Sequence, residues 1–157
     1  MAAPLFVDLS TIDLTKVVVT REQLYERLPH RFEFMQLDEI LHIDKDKGLA
    51  VARRNVREDE FWVRGHIPGR PLLPGVLMIE TAAQMASYLA CEFYPYDKFL
   101  GFGAVDKVKF RAAVSPPATM YFLMKVVESR PRRTIADAQA IVDGNLVFEG
   151  RITGMPI

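Results

Sequence analysis

The sequence predicts an α+β domain in which an antiparallel sheet wraps around one long central helix. Three observations carry this. The segment 75–93, GVLMIETAAQMASYLACEF, has small and apolar residues all round, the mark of a buried helix. Two strand candidates precede it and four follow it, each rich in β-branched and aromatic residues. Turn signals punctuate the later strands at Pro116-Pro117 and Asp143-Gly144. A layer of strands closed over a single helix satisfies that order.

Residues 1–19 read as an N-terminal extension and 20–157 as one domain, because the chain has no repeats, low-complexity tracts or linkers. Thr20 followed by Gln23 forms a capping box for the short helix REQLYERL, which Pro29 ends. FEFMQLDEILHI (32–43) and GLAVARRNV (48–56) read as two strands joined by the polar turn DKDKG. Residues 58–74 form a loop stiffened by Pro68, Pro71 and Pro74. Beyond the central helix come FLGFGAVDKVKF (99–110), TMYFLMKVV (119–127), TIADAQAIV (134–142) and LVFEGRITG (146–154), four strand candidates.

Composition narrows the function classes. Lys+Arg and Asp+Glu both count 20 in 157 residues, so no global field directs the chain to nucleic acid or to an anionic membrane. No apolar run reaches the length of a membrane span, and Asp8 and Asp13 interrupt the N-terminal segment, which lacks the basic start of a signal peptide. A lone Cys91 among apolar neighbours reads as a packed thiol. These features predict a cytoplasmic protein. His30, His42 and His66 have no ligand-like spacing and no cysteine cluster beside them, so no metal is expected. No Gly-rich loop follows a strand, so no nucleotide or other cofactor is expected either. His30 reads as a structural residue after the first helix and His42 as a strand-face residue.

The chemistry concentrates in RGHIPGRPLLPGVLMIE, Arg64 to Glu80. Prolines and glycines flank His66 and cut the freedom of its loop, and imidazole titrates near neutrality, as a general base requires. The helix start at Pro74-Gly75 offers backbone N–H groups with no helical partner, those of Gly75 and Val76, at the positive end of the dipole. Glu80, Gln84, Ser87 and Cys91 are spaced by four, three and four, so they share one helix face. Gln84 and Ser87 read as inert polar groups buried in a subunit interface. Glu80 differs, because a carboxylate in a buried helix demands a partner or a use. A base, an acid and an oxyanion site together suit proton abstraction beside a carbonyl followed by loss of a β-substituent.

Several segments, LPHRFEF with LD at 37–38, GHIPGRPLLPGV, MIETAAQ and GFGAVDKVKFRAAVSP, resemble the β-hydroxyacyl-acyl-carrier-protein dehydratases of type II fatty-acid synthesis. The likeness runs from about Leu28 to the C-terminus. It implies the hot-dog fold and the dehydration of a 3-hydroxyacyl thioester to the trans-2-enoyl product. It also implies roles: His66 abstracts the α-proton, Glu80 protonates the departing hydroxyl, and the Gly75 N–H holds the thioester oxygen. In that family the two catalytic residues come from different subunits, so a homodimer or a trimer of dimers is expected. Isomerising relatives carry Asp at the position of Glu80, which favours simple dehydration. Ile67, Glu33, Arg64 and Gln36 depart from the family pattern, and none removes a catalytic group.

Basic residues also cluster: Arg53, Arg54 and Arg57 before the loop, Arg64 and Arg70 within it, and Lys107, Lys109 and Arg111 near the end of a strand. They form either a solvated face balanced by carboxylates or a docking surface for an acidic acyl carrier protein. Two rival functions stand beside the dehydratase. A hot-dog thioesterase would hydrolyse the thioester, and a non-catalytic acyl-binding or scaffold subunit would do neither.

Overall fold

A computed structural model describes residues 3–157. Six strands form one antiparallel sheet: β1 (Glu39–Asp44), β2 (Leu49–Val56), β3 (Leu100–Phe110), β4 (Ala118–Arg130), β5 (Arg133–Val142) and β6 (Asn145–Pro156). Their order across the sheet is β1-β2-β4-β5-β6-β3, which leaves β1 and β3 as the edges. Helix α1 (Arg21–Arg27) precedes the sheet, and α2 (Gly75–Phe93) lies against its concave face.

Side-chain alternation explains the wrap. Ala50, Ala52, Ala136, Ala138 and Ala140 point to the helix side and are fully or almost fully buried. Small residues there let the sheet curl close around α2, and larger ones (Met120, Phe122, Met124, Phe148) fill the space along Leu77, Met78, Met85 and Leu89. The intervening residues Val51, Leu123 and Ile141 face outward. They do not meet water, because residues 4–12 cross them as a strap. Phe6, Val7, Leu9 and Ile12 pack on this outer patch. The Gln139 side chain accepts from the Phe6 N–H at 3.0 Å and donates to the Pro4 carbonyl at 3.0 Å. Val19 then pairs with Ile40 and joins the strap to β1.

Local signals are realised closely in several places. Thr20 and Gln23 close both bonds of the capping box on α1. Asp143 and Gly144 both adopt positive φ, 49° and 78°, in the two-residue turn between β5 and β6. Two expectations need correction. The first strand begins at Glu39 rather than at Phe32, since residues 32–34 form a 3₁₀ turn with Phe32 at φ 56°. The Phe34 carbonyl and the Gln36 N–H are bonded to the Gln84 side chain on α2 and so leave the ladder. The second correction concerns α2, which is not enclosed on every side. Val76 is 68% exposed, and Ile79, Glu80 and Ala83 are half-buried along the same stripe. An open six-stranded sheet covers only part of the helix circumference, and this stripe is the remainder. Among the described residues no helix is long and apolar enough to cross a membrane.

Candidate active site

His66 sits in a loop fixed at both ends. Its backbone N–H donates to the Trp62 carbonyl at 2.7 Å, and the Leu73 N–H donates to the Val114 carbonyl at 2.8 Å. Between them Ile67 and Gly69 turn the chain through positive φ, 59° and 80°. The imidazole Nδ1 lies 2.6 Å from the Leu72 carbonyl oxygen. A carbonyl can only accept, so Nδ1 carries the ring proton in the neutral side chain. The free lone pair is therefore on Nε2. A loop that looked merely stiff in the sequence thus selects the tautomer a base needs.

His66 lines a cavity with Leu72, Gly75, Val76, Met78 and Phe110. Gly75 opens α2 after Pro74, and no side chain caps the helix. The N–H groups of Gly75 and Val76 lie in the first turn, where no helical acceptor exists, and so are available to an oxyanion. A Cβ on Gly75 would fall 2.8 Å from the Phe110 ring, so a larger residue here would push that ring aside at the mouth of the cavity. The resemblance-based placement of Gly75 and Val76 is thereby brought beside His66.

Glu80 is not brought there. It lines a different cavity of about 250 Å³ with His30, Phe34, Ala83, Gln84, Phe99 and residues of β3 and β6. Its side chain is 23% exposed, so this carboxylate is half-buried rather than enclosed. The Gln84 amide donates to Glu80 Oε1 at 2.8 Å and to the Phe34 carbonyl at 2.8 Å, and accepts from the Gln36 N–H at 2.9 Å. Gln84 was expected in a subunit interface as an inert group. It lies instead within the protomer and holds Glu80.

The hold extends further into the core. Gln36 Oε1 accepts from Arg54 Nη2 at 2.7 Å, and Arg54 is ion-paired with Glu60 at 2.7 Å. The Trp62 indole and the Arg57 N–H also donate to Glu60, each at 2.8 Å. Burial alone would raise the Glu60 pKa, but these donors and the Arg54 charge outweigh it and hold the carboxyl below its usual value. The departure of Gln36 from an apolar pattern is explained: it is the acceptor that a buried Arg54 needs.

The basic cluster divides. Arg53 pairs with Glu39, Arg54 with Glu60, Arg57 with Asp59 and Arg111 with Glu149. Arg64, Arg70, Lys107 and Lys109 are exposed and make no ion pair among the described residues. Sequence reading missed His30, whose Nε2 approaches Glu80 Oε1 to 3.5 Å. Its position directly after the helix-ending Pro29 gave no sign of a partner fifty residues away. Cys91, expected as a packed thiol, is only half-buried, and desolvation pushes its thiol pKa up.

A FabA-like domain model matches residues 28–151. The chain belongs to the FabA-like family. A 3-hydroxyacyl-acyl-carrier-protein dehydratase FabZ of Campylobacter jejuni is 37% identical over 138 residues, which cover 85% of this chain and 94% of that protein. Among solved structures, the dehydratase heterocomplex ApeI:P of Xenorhabdus doucetiae matches with a TM-score of 0.69 at 15% identity, over 85% of this chain and 90% of that one. A hypothetical thioesterase with coenzyme A from Streptococcus pneumoniae matches with a TM-score of 0.63 at 12% identity, over 87% and 95%. The expected hot-dog architecture is therefore the fold of this FabA-like chain. At such identities the structural likeness speaks of fold alone, and the chemistry has to come from the site.

Proposed function

We propose that the protein dehydrates a 3-hydroxyacyl thioester carried on acyl carrier protein, giving the trans-2-enoyl thioester and water. The observation that carries this is the bond from His66 Nδ1 to the Leu72 carbonyl, which leaves Nε2 as a base. Nε2 takes a proton from C2 of the acyl chain. The electron pair of that C–H bond becomes the C2–C3 double bond, and the C3–O bond breaks. The departing hydroxyl takes the proton of Glu80 and leaves as water. Negative charge that develops on the thioester oxygen is met by the N–H groups of Gly75 and Val76. The Campylobacter jejuni relative carries this activity in its name, which adds to the reading.

Because His66 and Glu80 line separate cavities of one chain, the working site is composite, with Glu80 supplied by a partner subunit. The surface for such a partner is at hand. β3 is an edge strand with Phe102, Val105 and Phe110 exposed, and Val76 stands exposed on α2. An apolar unpaired edge of eleven residues invites pairing with a second copy. A homodimer is the minimal assembly, and a trimer of dimers would repeat it. Arg64, Arg70, Lys107 and Lys109, which make no ion pair among the described residues, supply the docking charges for an acidic carrier protein, whereas Arg111 is engaged by Glu149. Residues 20–157 make up the catalytic unit in this reading, with 1–19 as an addition to it.

The test is a single incubation of purified protein with a trans-2-enoyl thioester. Hydration, seen as loss of the conjugated-thioester absorbance with no free thiol, is the expected result. Thiol release would make the protein a thioesterase, and neither change would leave a non-catalytic subunit.

A further inference from the structure

The His30 ring completes the hold on Glu80. The side chain is 17% exposed and stacks on Phe34, with ring planes 9° apart and centroids at 6.2 Å. Phe99 closes another side, with its centroid at 6.3 Å. Nδ1 is buried and has no hydrogen-bond partner, while Nε2 faces Glu80 Oε1 at 3.5 Å. A buried orphan N–H is rarer and costlier than a buried orphan acceptor. The ring proton of neutral His30 therefore sits on Nε2 and points at Glu80. At 3.5 Å the contact is just beyond hydrogen-bond length, and about half an ångström of movement closes it.

Two N–H groups thus converge on one oxygen: Gln84 Nε2 at 2.8 Å and His30 Nε2 at 3.5 Å, both directed to Oε1. With Oε1 taken by these two donors, Oε2 is the oxygen left free to carry a proton when Glu80 acts as an acid. We infer that His30 is a positioning residue which, with Gln84, locks Glu80 Oε1 so that Oε2 delivers the proton. This inference rests on the dehydratase reading for the role of Glu80, although the contact itself does not.

Electrostatics agree with a neutral ring. Desolvation lowers the His30 pKa, the Glu80 charge raises it, and Arg31 lowers it again, with a net fall. The walls that α2, β3 and β6 give the cavity carry no titratable side chain besides Glu80.

The experiment separates packing from positioning. His30→Phe keeps an aromatic ring between Phe34 and Phe99 but has no N–H. Expected is a fall in kcat of roughly 10- to 100-fold with KM little moved, since misplacing a reacting group alone costs this much. His30→Gln, which can aim an N–H at Oε1, should recover part of the loss. Wild-type kcat in His30→Phe, or no recovery in a folded His30→Gln, would overturn the inference. A second arm needs no activity: ¹⁵N NMR titration of the His30 ring in the wild type and in Glu80→Gln. The midpoint should drop when the carboxylate is removed, since the Glu80 charge raises it, and an unchanged midpoint would also overturn the inference. If the wild type hydrates no thioester yet the midpoint shifts, the contact stands and the dehydratase reading falls.

Discussion

Replacing Arg54 by methionine removes the one guanidinium that holds Gln36 and Glu60 together inside the protein. Arg54 and Glu60 side chains are 3% and 9% exposed. The guanidinium donates to Gln36 Oε1 at 2.7 and 3.3 Å, and to the two Glu60 oxygens at 3.1 and 2.7 Å. In Arg54→Met, Gln36 Oε1 loses both donors, and Glu60 keeps only the Arg57 N–H and the Trp62 indole. An unsatisfied buried acceptor costs about 1–3 kcal/mol. A buried carboxylate stripped of its cation brings the total to about 3–5 kcal/mol. That is a large part of the roughly 5–15 kcal/mol that a folded domain possesses. Trp62, the single tryptophan, donates to Glu60, so its fluorescence reports on the damaged site during urea unfolding at fixed protein concentration. Arg54→Met combined with Glu60→Leu and Gln36→Leu should recover most of the loss, because no charge or acceptor is left stranded. The pH dependence has a definite sign. Glu60 is held below its usual pKa, so its contribution to stability is complete above about pH 4.3 and is lost as pH falls through the lower folded value. Arg54→Met should weaken that acid-side loss. A destabilisation below about 1 kcal/mol, with an unaltered acid profile, would refute the reasoning.

The remaining predictions concern assembly and docking. His66→Ala and Glu80→Ala should each lower turnover by about two to four orders of magnitude, and mixing the two inactive proteins should restore part of it through hybrid dimers. No recovery after verified subunit exchange would place both groups in one chain. Arg64→Glu with Lys109→Glu should raise KM for a substrate on acyl carrier protein several-fold, more at low salt, and leave KM for a short soluble thioester unchanged. Equal effects on both substrates would remove these residues from docking.

Much of this was legible in the chain because local rules decided it. Pro74-Gly75 opens α2 and the apolar run carries it to Phe93, as the sequence pattern indicated. Thr20, Asp143 and Gly144 act within four residues of themselves, and so their effects could be read directly. The four-residue step put Glu80 and Gln84 on one helix face, although Gln84 was expected in a subunit interface rather than as the partner of Glu80. What stayed hidden is tertiary. Phe32 to Gln36 carry a strand-like composition, yet a glutamine 48 residues away takes the Gln36 N–H and bends the segment out of the sheet. His30 meets Glu80 because the segment between α1 and that bend lies against the early turns of α2. No periodicity encodes such an encounter.

The strap across the outer sheet face has a consequence for how its sequence can drift. Gln139 grips a peptide N–H and a peptide C=O, groups that every ordinary residue shares. Such a grip reads chain direction and extension and is blind to the side chains at positions 4 and 6. Identity is enforced only where a side chain enters the outer patch, above all at Val7, which is 8% exposed. The constraint on this part of the molecule therefore falls less on the strap than on the sheet beneath it. Gln139, Val51, Leu123 and Ile141 have to be kept, while in the segment they hold the demand falls on the apolar side chains that meet the patch and spares positions such as Pro4.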